Sequence, residues 1–406
     1  MNKLDNCRLL IYSHDSFGLG HLRRCRTLAH ALVDRYKGLS VLILTGSPII
    51  GRFDFKARVD FVRIPGVIKL HNGEYTPLGL HIDLADTLAL RESIILHTAQ
   101  TFAPDLFLVD KEPTGLKGEV KSTLEMFANT PTRCVLGLRD VMDDPELLER
   151  EWQQKAVWPV LEELYDELWV YGPESLGSPL QGLSMEHKVA DKLMYTGYLP
   201  RQLPEAIQPE ALQLPQQPYI LVTSGGGGDG VEMVDWVIRT YEQQSQPMPA
   251  FIVLGPFMPL ADRTRFQQRA AQLAQVETLD FSENLEHLMA NAHAVIAMGG
   301  YNTFCEILSF DRPALILPRS QPRREQLIRA RKAQQLGLLN YLPLESERTA
   351  EQMHQAIQQL VEQAPPSAAA GCGLLSGLDF VTDRVGRLIG TEASQNSFLS
   401  QSPYRL

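Results

Sequence analysis

Cysteine is scarce in this sequence and long apolar runs are missing, and each shortage excludes something. Only five cysteines stand among 406 residues: Cys7, Cys25, Cys134, Cys305 and Cys372. Their odd number and wide spacing fit neither a disulfide framework nor a paired-cysteine zinc site, and reduced thiols in a cytoplasmic protein are the expectation. No stretch approaches the ~20 apolar residues of a membrane-spanning helix. The opening MNKLDNCRLLIYSH has too short an apolar part for a signal peptide and no small-residue cleavage site. Basic residues are in deficit too, 38 Lys and Arg against 48 Asp and Glu for a net charge of −10. That balance argues against a general nucleic-acid binder. The deficit is uneven, with residues 1–110 at +2 and the remainder at −12. This split is small but in the direction that peripheral contact with an anionic membrane would take, each Lys or Arg near such a surface contributing only ~1 kcal/mol.

What is present is a folded α/β chain. Hydrophobic residues make up 44% and charged residues 21%, which excludes wholesale disorder. The length suggests two domains. In the first half, short apolar runs at 8–13, 40–44, 59–64, 105–109, 133–138 and 167–171 read as buried strands. Between them, 22–32, 83–101 and 117–129 read as helices. Residues 196–218 hold five prolines and several glutamines, the composition of an interdomain linker. The alternation then restarts, with strands at 219–223, 250–254, 276–281, 294–297 and 314–317. Helices are expected at 231–243, 263–274, 285–290, 303–309 and 325–336. The expected architecture is two Rossmann-like domains facing a central cleft. They are residues 1–198 on the acceptor side and 218–390 on the nucleotide side, joined by a 199–217 linker and followed by a loose polar tail, 391–406.

In such sheets ligands sit beyond the carboxyl ends of the strands, and the polar residues of this chain cluster there. Phe17-Gly18-Leu19-Gly20-His21 lies between the first strand and helix, where Gly18 and Gly20 allow a tight turn. His21 falls in the first helical turn, whose dipole disfavours an imidazolium, so a neutral general base is the functional expectation. A helix-capping histidine is the plain alternative. Asp110 ends the DLFLV strand as a candidate partner for His21. Lys111 and Arg139 follow neighbouring strands as candidate acceptor contacts, with ordinary ion pairing as the alternative.

In the second half, Ser224-Gly225-Gly226-Gly227-Gly228-Asp229-Gly230 follows YILVT. Four consecutive glycines offer no packing but let backbone N–H groups approach a phosphate at a helix start. No Gly-Lys-Ser/Thr follows, so this is not a P-loop. In Gly299-Gly300-Tyr301-Asn302-Thr303-Phe304-Cys305-Glu306, Thr303 sits at a helix start suited to a pyrophosphate. Glu306 lies about 4.5 Å further along the axis, the step from a diphosphate to a ribose. The adjacent acid and amide Glu325-Gln326 suit sugar hydroxyls, which both donate and accept. A solvated glutamate and an exposed helix start are the plain alternatives.

The run GGYNTFCEILSFDRPALILP, followed by EQ, resembles the donor-binding signature of GT-B glycosyltransferases, and of glycosyltransferase family 28 above all. Gly300, Asn302, Thr303, Glu306, Pro313, Pro318 and Glu325-Gln326 follow the family's order. The resemblance implies that Gly299, Gly300 and Thr303 bind the pyrophosphate, that Glu306 takes the ribose, and that Glu325-Gln326 takes the donor sugar. It also implies that Phe281 and Ser282 face a uracil. SGGGGDG resembles the family's second glycine loop and FGLGH its first. Plant-type enzymes carry a histidine where this chain has Met298, which favours the bacterial branch. GLGHLRRCRTLA is also similar to the UDP-sugar hydrolase of pseudaminic acid synthesis, in which the same histidine activates water.

The implied activity is inverting transfer of a sugar from a nucleotide-sugar, expected to be a UDP-sugar, to an acceptor hydroxyl. No metal and no cofactor are expected, and the acceptor is a small molecule, a glycan or a lipid-linked molecule. The rivals are a UDP-sugar hydrolase and a non-catalytic sugar-nucleotide sensor or scaffold. A sugar-nucleotide 2-epimerase is disfavoured because its carboxylate set is not found.

Overall fold

A computed structural model of the chain describes every residue except 1–3, 5, 15–19, 70–73, 185–186, 204–213, 227, 283, 346, 370–372 and 400–406. For residues 391–399 it describes the backbone alone. The chain divides into two compact units, each described by itself. One is residues 1–140, 145–199 and 376–406, and the other is residues 141–144 and 200–375.

The first unit contains β1 (Cys7–Ser13), α1 (Gly20–Arg35), β2 (Leu39–Thr45), β3 (Val59–Arg63), β4 (Val67–Lys69), β5 (Tyr75–Pro77), α2 (Leu84–Phe102), β6 (Leu106–Asp110), α3 (Lys121–Phe127), β7 (Arg133–Arg139), α4 (Pro145–Gln154), α5 (Val157–Leu164), β8 (Glu167–Tyr171), α6 (His187–Ala190) and β9 (Leu193–Tyr195). Seven strands form one sheet in the order β3-β2-β1-β6-β7-β8-β9, and every pairing is parallel. A parallel sheet covered on both faces needs continuous apolar strands. LFLVD of β6 and ELWVY of β8 are accordingly buried at every position. α1 lays Leu22, Cys25, Leu28, Ala29 and Leu32 on the sheet, the stripe its 3.6-residue period dictates. α2 begins at Asp83, whose side chain accepts the Asp86 N–H at 2.7 Å. The strand order reverses between β1 and β6, the kind of place where a doubly wound sheet opens a crevice.

The second unit runs β10 (Ile220–Thr223), α7 (Val231–Gln243), β11 (Ala250–Val253), α8 (Leu260–Ala270), β12 (Val276–Leu279), α9 (Leu285–Asn291), β13 (Ala294–Ala297), α10 (Tyr301–Ser309), β14 (Ala314–Ile316), α11 (Glu325–Gln335), β15 (Asn340–Tyr341) and α12 (Ala350–Glu362). Its parallel sheet has the order β12-β11-β10-β13-β14-β15, with the reversal between β10 and β13. Trp236, Ile252, Phe266 and Ile296 sit in the core of this unit.

The last helix, α13 (Gly377–Leu399), belongs to the first unit. Val381, Val385 and Ile389 are buried at i, i+4, i+8. Tyr36 donates its hydroxyl to the Thr382 carbonyl at 2.8 Å, and Arg384 pairs with Glu167. The close approach needs glycine at Gly386, where a Cβ would lie 2.2 Å from the Tyr36 hydroxyl. The boundary expected at residue 390 therefore falls at 375–376, and the backbone expected to loosen there stays helical to Leu399. The helix expected at 117–129 is shorter. Lys117 and Gly118 have φ of 53° and 97°, so regular helix starts at Lys121. Most of the expected linker, 204–213, lies outside the described residues.

Candidate active site

In the first unit the carboxyl ends of β1 and β6 meet the start of α1. Asp110 closes β6 and is 1% exposed, while His21, in the first turn of α1, keeps 17% of its side chain open. His21 Nδ1 lies 2.5 Å from Asp110 Oδ2. One helical turn on, Arg24 donates from Nε to Oδ1 at 2.8 Å and from Nη2 to Oδ2 at 2.7 Å. Arg24 itself is 2% exposed, and its guanidinium carbon sits 5.9 Å from the Tyr171 ring centre. Burial pushes the Asp110 carboxyl up, but Arg24 and the His21 hydrogen bond outweigh it and hold it well below the usual carboxylate range. An ionised Asp110 can only accept, so Nδ1 of His21 carries the proton and Nε2 presents a lone pair. The 3.1 Å approach of Arg24 Nη2 to His21 Nδ1 is then two donors converging on one oxygen. Burial lowers His21 to about 4, against the upward pull of Asp110 and with a further push down from Arg24. The imidazole is therefore neutral near pH 7 and oriented, the state a general base requires.

His14 stands edge-on to His21, ring centres 5.6 Å apart, and burial lowers it to about 3. Behind it the Tyr12 hydroxyl donates to Glu119 at 2.5 Å, and Glu119 is clasped by Arg91 through Nε and Nη2, both at 2.6 Å. Lys111 is buried beside Glu112, Nζ to Oε1 3.4 Å, and Lys155 reaches the same carboxylate at 3.3 Å. Arg139 ends β7 in register with Tyr171 of β8. Gly20 opens α1, and Gly18 lies outside the described residues.

In the second unit the loops after β10, β13 and β14 lie side by side, because those strands are neighbours. Their glycines fall into two classes. Among the described residues a Cβ on Gly225, Gly228 or Gly300 would meet nothing within 4 Å, which leaves room for a ligand, although Gly225 also has a left-handed φ of 66°. Gly230 and Gly299 are dictated by packing, since a Cβ would lie 2.1 Å from the Ser224 Cβ and 2.7 Å from Ile316 Cγ2 respectively. Gly299 also has φ of 78°, a left-handed conformation that suits glycine. Gly226 abuts Phe257, and Gly227 is outside the described residues. Ser224 donates to the Leu254 carbonyl at 2.6 Å, so its hydroxyl serves the loop.

Gly300 is the N-cap of α10 and brings no side-chain hydrogen bond to its first turn. Thr303 is in this turn, and Asn302 accepts from Arg201 at 2.7 Å. Glu306 is 1% exposed, so it is interior, and contact with a ribose requires its surroundings to open. Glu325 and Gln326 begin α11 and are both buried, with Gln326 Oε1 accepting the Arg319 N–H at 3.1 Å. Asp143 accepts the Arg324 N–H at 2.9 Å and pairs with Arg323. Phe281 is 45% exposed after β12, and Ser282 accepts the Asn284 N–H at 3.1 Å. They follow β12, one strand removed from β10 and its glycine loop and two strands removed from β13.

Residues 231–371 match the model of the glycosyltransferase family 28 C-terminal domain. Over 206 residues the chain is 27% identical to the UDP-N-acetylglucosamine--N-acetylmuramyl-(pentapeptide) pyrophosphoryl-undecaprenol N-acetylglucosamine transferase of Methylorubrum populi. That alignment covers 47% of this chain and 55% of the relative, so the chain spans about half the length of the curated relative it matches. Among solved structures, MurG of Acinetobacter baumannii superposes with a TM-score of 0.60 at 14% identity, over 94% of this chain and 99% of the other. A UDP-GlcNAc 2-epimerase from Neisseria meningitidis gives 0.59 at 15%, over 95% and 100%. At such identities the superpositions show a shared fold and leave the chemistry to the residues.

Proposed function

We propose that this chain, family 28-like in its C-terminal domain and GT-B in fold, is a glycosyltransferase that moves a sugar from a UDP-sugar to an acceptor hydroxyl with inversion and without a metal. The observation that carries the reading is His21, neutral, oriented by Asp110 and open on one side, in a chain whose residues 231–371 match the family 28 C-terminal domain.

In this mechanism Nε2 of His21 takes the proton of the acceptor hydroxyl as its oxygen attacks the anomeric carbon. Asp110 stabilises the imidazolium that forms, and general-base assistance of this kind contributes roughly 10²–10⁴-fold. The sugar–phosphate bond breaks, and the diphosphate leaves with the electron pair. The first-turn N–H groups of α10 and the open glycine backbone accept the charge that develops on it. Glu325 and Gln326 would hold the sugar hydroxyls.

A lipid-linked acceptor, of the kind the relative's name states for that protein, fits the surface of the first unit. Leu78, Leu80, Ile82 and Leu90 are 42–45% exposed within thirteen residues, apolar side chains inside the 1–110 stretch that carries the +2 charge. Aspartate replacements at Leu80 and Ile82 are expected to abolish co-sedimentation with anionic vesicles while UDP affinity is unchanged.

The test of the activity is a panel of UDP-, dTDP- and GDP-sugars offered without acceptor. Binding without release of free sugar, and loss of turnover with retained nucleotide binding in His21→Ala, are the expected results. Rapid release of free sugar would assign hydrolysis, and undiminished turnover in His21→Ala would remove the mechanism.

A further inference from the structure

Arg319 makes a contact that ordinary surface pairing does not require. It follows β14, and its Nη1 is paired with Asp229, which belongs to the loop after β10. β13 lies between those two strands. The ion pair therefore spans the loop after β13, the one that carries Gly299, Gly300 and the start of α10. Nη2 of Arg319 lies 3.9 Å from Glu325 Oε1. Its backbone N–H is taken by Gln326 at 3.1 Å. Its Nε is buried and has no hydrogen-bond partner among the described residues. Arg319 thus links the glycine loop to the acid–amide pair, by its guanidinium to Asp229 and Glu325 and by its backbone to Gln326, with a side-chain donor still unspent. Asp229, at 57% exposure, is the half of the pair that water can accept readily.

We propose that Asp229 occupies the place of a ligand's anionic group, and that Arg319 passes from Asp229 to the diphosphate when a nucleoside diphosphate or its sugar binds. This rests on the donor reading above. The planar fork of a guanidinium fits a phosphate as it fits a carboxylate. Exchange therefore keeps the cation paired throughout, and it brings the free Nε within use. The released Asp229 returns to solvent, where an exposed ion pair loses little. Arg319 then selects for the diphosphate, while the base and ribose are held elsewhere.

Titration calorimetry on the full chain tests this with UDP, dTDP and GDP, each beside its parent nucleoside. The wild type is expected to bind at least one diphosphate. Arg319→Met should weaken that diphosphate by on the order of tenfold to a hundredfold and leave the nucleoside unchanged. Asp229→Asn should tighten the diphosphate by about two- to fivefold, and the gain should vanish when both substitutions are combined. Wild-type diphosphate affinity in Arg319→Met, equal loss of nucleoside and diphosphate, or a gain that persists in the double variant would each overturn the exchange and leave the donor reading standing. A wild type that binds none of the three diphosphates overturns both.

Discussion

Burial, with Arg24 adding to it, keeps the His21 imidazole neutral. Arg24 holds both oxygens of Asp110 and, by its own charge, helps push the His21 pKa down. General-base activity is present while the imidazole is neutral and is lost as pH falls through its pKa. The acid limb of kcat/KM is therefore expected near pH 4, well below the ordinary histidine value of about 6.5, and a pH–rate profile reads it directly. Arg24→Met should move that limb to higher pH, because a repulsive cation has gone. It also takes the guanidinium away from the buried Asp110 carboxylate and leaves it, among the described residues, only its His21 hydrogen bond, at a cost of about 3–5 kcal/mol in stability. A profile that does not move would separate Arg24 from the proton chemistry. His21 and Asp110 were legible in the sequence because a strand end and a helix start are where a parallel sheet presents polar groups. Arg24 was legible in principle, being three residues on from His21 and so on the same helical face. Arg319 was not. Its meaning depends on β13 lying between β10 and β14, an order that no local pattern encodes.

At the scale of elements, the glycine turns are as much matters of packing as of ligand approach. Gly299→Ala adds a methyl 2.7 Å from Ile316 at a φ of 78°. It is expected to cost about 1–3 kcal/mol and to lower the thermal midpoint together with nucleotide affinity. Gly300→Ala, which meets nothing within 4 Å, should leave stability nearly unchanged and weaken nucleotide binding alone. Equal melting points for the two variants would contradict this division. The sequence marked both positions as special without separating them, since the steric neighbour of Gly299 is on the next strand. Strand and helix positions were legible wherever an apolar run was bounded by polar turns, as at 167–171, 231–243 and 294–297. The break at 117–120 was hidden. Lys117 adopts a positive φ that its residue type does not announce, and Gly118 stands in a stretch otherwise suited to helix.

On the whole-molecule scale, the chain leaves its first unit and comes back to it. Val385→Asp puts a charge into a fully buried position on α13, where an unpaired polar group is costly. Hydrogen exchange is expected to quicken in β1 and β6 and to stay slow in β10 and β13. Uniform loss of protection would mean that the two units do not unfold separately. The two-domain expectation from length and from the restarted alternation was sound as a count, but α13's return was unreadable. Its apolar stripe says that it packs, not on what.

That return also fixes an order of events during synthesis. The second unit, residues 200–375, is complete in sequence before Val381, Val385 and Ile389 exist. At translation speeds of about 5–20 residues per second, the first unit waits on the order of ten to thirty seconds for its last helix. During that wait the apolar surface that α13 will cover is open to chaperones and to other nascent chains. A message truncated anywhere between codons 200 and 375 would release a first unit that cannot close.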